Sequence, residues 1–138
     1  MAFPTTIRQV TTTLPSVLDV GPQESALQVV LDTVTDGITA QHTSPSQSTA
    51  ILLTTVNSRV TTVTTANDAV RLPPAIAGLK MVISNAATNN LGVYPSSAAQ
   101  GGVTGGDNIN ALSANAVYAQ ATGRQTFICY TTGTWQTA

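Results

Sequence analysis

The stretch Leu79-Lys80-Met81-Val82-Ile83-Ser84 decides the fold. Leu79, Met81 and Ile83 alternate with Lys80, Val82 and Ser84, and a period of two places one apolar row on one face of a β-strand. Similar punctuation lies on both sides. Downstream, the polar turn Asn85–Asn90 leads into Leu91-Gly92-Val93-Tyr94, which Pro95 ends. Upstream, Ala69-Val70-Arg71-Leu72 is stopped by Pro73-Pro74, and Val60–Thr65 is too rich in β-branched residues for a comfortable helix. Further out, Leu27, Val29 and Leu31 alternate within Ala26–Val34, Asp36-Gly37 supplies a turn, and Ile38-Thr39-Ala40 follows. Gln41–Thr49 is a polar loop around Pro45, and Thr49–Val56 is a second apolar stretch. Near the C-terminus, Asn115–Ala121 reads as a strand. Arg124–Thr131 and Thr134–Thr137 read as a hairpin across Thr132-Gly133.

Short strands with turn signals roughly every 8–12 residues, and no long amphipathic helix for a crossover, predict an all-β chain. The expected architecture is a β-sandwich or jelly roll of short antiparallel strands. No internal repeat is apparent. Residues 1–22 read differently. Pro4, Pro15, Gly21 and Pro22 interrupt any regular element, yet Phe3, Ile7, Val10, Leu14, Val17 and Leu18 keep the segment apolar. This predicts an extended N-terminal arm at residues 1–22 and a single β-sandwich domain at 23–138, with those six side chains as the partner-binding candidates.

Composition narrows the chemistry. Of 138 residues, one is Lys, four are Arg, five are Asp and one is Glu, giving a net charge of −1. Five basic residues do not make the cationic stripe that nucleic acid requires. Thr fills 24 positions, which suits a pleated surface facing water. The apolar fraction of 42% argues against disorder. Cys129 is the single cysteine, so neither an intrachain disulfide nor a thiolate metal cluster is available. The N-terminal residues lack an apolar signal core, and no apolar run reaches spanning length, so synthesis in a cytoplasm is expected.

The chemical candidates are few. His42 is the only histidine and lies in His42-Thr43-Ser44-Pro45-Ser46, where a Ser/His pair with an Asp is conceivable, but no nucleophile-elbow glycines surround any Ser. The loop Gly101–Asp107 lacks the Gly-Lys-Ser/Thr ending of a phosphate cradle and reads as a turn or flexible loop. Asp107-Asn108-Ile109-Asn110 offers oxygen ligands but no distal Glu for calcium. Cys129 reads as a small core hydrophobe, and Trp135, Phe127 and Tyr94 as core or near-core aromatics. No catalytic residue, cofactor or metal ligand is expected, and the chain is read as a non-enzyme.

One resemblance comes from the second half. Arg59–Val63, Asp68–Pro73, Ala77–Asn85, Leu91–Pro95, Asp107–Asn110, Phe127-Ile128-Cys129 and Gly133-Thr134-Trp135 follow an order that resembles a module of tailed-bacteriophage virion proteins. The pattern covers about residues 55–138 and departs from the family in the longer insertion Ser96–Gly106. It is most like capsid decoration (cement) proteins and is also similar to tail-fibre segments. The resemblance implies a virion protein on the capsid surface that stabilises the shell. Its expected partners are the major capsid protein and further copies of itself, as a trimer or dimer, without nucleic acid or membrane. The alternatives are a tail-fibre, tail-tip or baseplate component. A carbohydrate-binding adhesion domain, using Tyr94, Asp107 and Asn108, is a third reading.

Overall fold

The computed structural model describes residues 33–138. The arm residues Phe3, Ile7, Val10, Leu14, Val17 and Leu18, and most of the expected strand Ala26–Val34, lie outside the described residues.

The chain is all-β, but it is a β-solenoid of about four turns and neither a sandwich nor a jelly roll. Among the described residues ten strands run in order: β1 Val34–Thr39, β2 Ile51–Leu52, β3 Asn57–Thr62, β4 Ala69–Arg71, β5 Lys80–Asn85, β6 Leu91–Tyr94, β7 Asn108–Ile109, β8 Tyr118–Gln120, β9 Gly123–Thr131 and β10 Thr134–Thr137. One sheet has the order β1-β3-β5-β9-β10-β7 and the other β2-β4-β6-β8. Along β1 to β6 the chain visits the two sheets in turn, so each rung is one strand of each. Rungs stack in parallel: β3 on β1 and on β5, β4 on β2 and on β6. Parallel pairing needs a crossover. A helix is one way to make it, and its absence favoured an antiparallel reading. Here the opposite sheet's strand is the crossover, so parallel stacking needs no helix.

The last rung closes the stack differently. β8 runs antiparallel to β6, and β9 antiparallel to β5 from Lys80↔Ile128 to Asn85↔Gly123. The β9–β10 hairpin forms across Thr132-Gly133 as the sequence predicts, with Gly133 at φ +95°. The expected turn at Asp36-Gly37 is instead a bulge inside β1. Gly37 takes φ +76°, its amide donates to the Asp36 carboxylate at 2.7 Å, and the register with β3 shifts between Thr35 and Ile38. The ladder to β3 carries the strand through a dipeptide that would otherwise reverse it.

The core fills the space between the sheets. Val60, Ile83 and Phe127 enter from the larger sheet, Val70 and Val93 from the smaller, and Leu53 and Leu72 stack at one side. Trp135 and Ile109 fill the closing rung, fully buried. Phe127 meets Tyr118 edge-on, ring centres 5.7 Å apart and planes at 87°, the favoured arrangement of aromatic quadrupoles. Cys129 is buried, as read from its apolar neighbours.

The two sheets differ in what they leave exposed. In β6, Leu91, Gly92 and Val93 are all buried, so this strand of the smaller sheet is covered on both faces. In β5 the burial alternates, with Met81, Ile83 and Asn85 inward and Lys80, Val82 and Ser84 outward. The larger sheet therefore presents one face to water, and a surface site falls there.

Candidate functional site

The nearest approach to a catalytic constellation gathers around Asp68. Its side chain is fully buried at a corner of the second rung. Oδ2 accepts from the Thr64 and Thr65 amides at 2.7 and 3.0 Å. Oδ1 accepts from the Thr65 hydroxyl at 2.8 Å and lies 3.0 Å from His42 Nδ1. Burial pushes the carboxyl upward. The Thr65 amide, His42, the Thr65 hydroxyl and the Thr64 amide outweigh it and bring the pKa from 3.8 to about 2. As a triad the geometry fails. A relay needs the carboxylate on one imidazole nitrogen and the nucleophile on the other. Here Thr65 Oγ1 lies 3.4 Å from the same Nδ1 that meets Asp68, and its proton goes to the carboxylate. Ser44 does not join; its carbonyl accepts from the Thr49 hydroxyl at 3.0 Å. Asp68 is a corner staple.

Asp107 does the same for the glycine-rich loop. It is fully buried, with Oδ2 accepting from the Ala75 amide at 2.8 Å and Oδ1 from the Val103 amide at 2.9 Å. Asn115 donates to the Gly105 carbonyl at 2.9 Å, and the Gly106 amide to the Val103 carbonyl at 2.7 Å. The loop amide that could face a phosphate already faces the chain's own carboxylate, so Gly101–Asp107 is a held turn. This also removes Asp107 from the expected sugar-binding set with Tyr94 and Asn108, since both its oxygens are engaged. Cys129 donates to the Thr131 carbonyl at 3.2 Å, and burial pushes its thiol up. Among the described residues no group of His, Cys, Asp and Glu could hold a metal ion, and no helix is long and apolar enough to cross a membrane.

What remains is the outer face of the larger sheet. An open cleft of about 190 Å³ is lined by Val34, Asn57, Ser58, Arg59, Val82, Ser84 and Arg124. Register builds it: Arg59 is level with Ser84, and Ser84 with Arg124, while Asn57 is level with Val82. With strands about 4.8 Å apart, the two arginines stand about 10 Å apart across the hydroxyl. The bulge in β1 aims Asp36 at Arg59, whose Nη1 reaches its oxygens at 3.0 and 3.4 Å. Both side chains are more than half exposed, so the pair is a weak one. Among the described residues, Arg124, the Ser84 hydroxyl and the Asn57 amide have no side-chain hydrogen-bond partner. Sequence reading missed this site because its residues come from separate segments that only the register unites.

No protein-family model matches the chain, and no curated protein or solved structure matches it either. The class the geometry defines is a short β-solenoid with one solvated sheet face.

Proposed function

We propose that the chain is a structural protein of a bacteriophage virion, a capsid decoration protein that stabilises a shell by covering adjacent major capsid protein subunits. One observation carries this reading. Asp68 and Asp107, with His42, are engaged in holding the protein's own corners. The fold uses these groups for rigidity and leaves a weakly charged, Thr- and Ser-rich exterior, which costs little to desolvate against another surface. The first rung adds apolar contact area, since Val34, Ile51 and Leu52 are all exposed. Stripping the protein from particles tests it: depleted capsids should break at lower temperature and regain resistance on add-back. Capsids equally robust without it contradict the proposal.

A tail component is the second reading, and the stacked rungs favour it. Fibres are built from repeated units, and the rungs of the solenoid are such units at the level of structure. Copy number per particle separates the two, because a shell needs hundreds of copies and a tail a handful. For residues 1–22 we expect attachment without a folding role. Deleting residues 1–20 should leave the circular dichroism and melting of the solenoid intact while weakening particle binding. Loss of the fold on deletion contradicts that expectation.

A further inference from the structure

We propose that the cleft across β1, β3, β5 and β9 binds a carboxylate-bearing sugar, one hexuronate unit at a time, on the outer face of the larger sheet. Three chemistries meet there. Arg59 and Arg124 supply two guanidinium groups, the donors best shaped for a carboxylate. The Ser84 hydroxyl and Asn57 amide lie level with or beside them and suit ring hydroxyls. Val34 and Val82 supply an apolar patch against which the C–H face of a pyranose can lie. An acidic sugar uses all three sets, whereas a bare carboxylate uses only the arginines.

Charge distribution points the same way. Of the four Lys and Arg in the described residues, Arg59, Lys80 and Arg124 lie on outward positions of this one face, and Arg71 lies on the other sheet. Asp68 and Asp107 are buried, so among the described residues Asp36 is the one exposed side-chain carboxylate set against them. The edge bulge already delivers the Asp36 carboxylate to Arg59, which leaves Arg124 as the guanidinium for a ligand's carboxylate. Arg124 stands two strands away with no such partner among the described residues. A volume of about 190 Å³ is below the few hundred Å³ typical of drug-sized pockets. It suits a single saccharide unit, with neighbouring units of a polymer lying along the open face.

The test is titration calorimetry on the full chain with glucuronate, a galacturonate oligomer, glucose, acetate and an oligoglutamate peptide. Saturable binding of glucuronate is expected, tighter for the oligomer, with glucose and acetate each at least about tenfold weaker, since glucose lacks the carboxylate and acetate lacks the ring with its hydroxyls. Arg124→Gln should weaken oligomer binding about tenfold, and Ser84→Ala less. Both residues face outward, so melting temperature should stay unchanged, and Arg124→Lys should recover only part of the loss. About 0.5 M salt should weaken binding without abolishing it. The proposal is overturned if neither uronate binds, or if Arg124→Gln binds as the unaltered chain does. It is equally overturned if acetate or oligoglutamate matches the galacturonate oligomer, because the face would then read charge alone. None of these outcomes bears on where the protein sits in a particle.

Discussion

Asp68 ties one corner of the fold together through its two carboxylate oxygens. With its pKa at about 2 in the fold against 3.8 for an ordinary Asp, it stabilises the folded chain fully above about pH 4. That contribution fades as pH falls through the native value, because protonation removes the charge that four donors address. Asp68→Asn should therefore cost about 2 kcal/mol at neutral pH and flatten the acid limb between about pH 4 and pH 2. Urea unfolding at a series of pH values reads this directly, and acid limbs of equal slope would contradict it. His42→Ala should cost less than about 1 kcal/mol, because the imidazole is half exposed and the two backbone donors remain.

At the scale of elements, the corners set the spacing of rungs. Gly92 shows how tightly. A Cβ there would stand 2.9 Å from the Asn67 carbonyl oxygen and 3.3 Å from Val117. That oxygen is backbone in a corner where Asn67 takes φ +74° and its amide donates to the Asn90 carbonyl. Gly92→Ala should thus destabilise by about 1–3 kcal/mol, a loss visible as a lower melting temperature. An unchanged melting temperature would mean that the corner gives way freely. Legibility divides along the same line. β6 and the β9–β10 hairpin are readable because Pro95 and Gly133 mark them locally. Parallel pairing is not, since it depends on matching segments whose steps vary. Ile51 pairs with Val70, 19 residues on, and Asn57 with Val82, 25 residues on. One signal was available. Asn67-Asp68-Ala69-Val70-Arg71 and Asn90-Leu91-Gly92-Val93-Tyr94 lie 23 residues apart, and their strand residues pair position by position. Even that would not have found the cleft, because Arg59 and Arg124 flank Ser84 only once β9 has docked antiparallel on β5.

Across the whole described molecule, each rung leans chiefly on its neighbours, and stability should grade along the stack. β5 has partners on both sides and a buried inward row, whereas β2 is two residues long and exposed. Hydrogen exchange should be slowest at Met81 and Ile83 and fastest in β1 and β2, by several decades. A uniform rate across all rungs would indicate a single cooperative unit instead. The same arrangement has a mechanical side. Bonds between rungs point along the stack, so tension in that direction loads successive interfaces like links of a chain. Between the first two rungs the two-residue pairing of β2 with β4 is the feebler half of the link, and the longer β1–β3 ladder beside it shares the load.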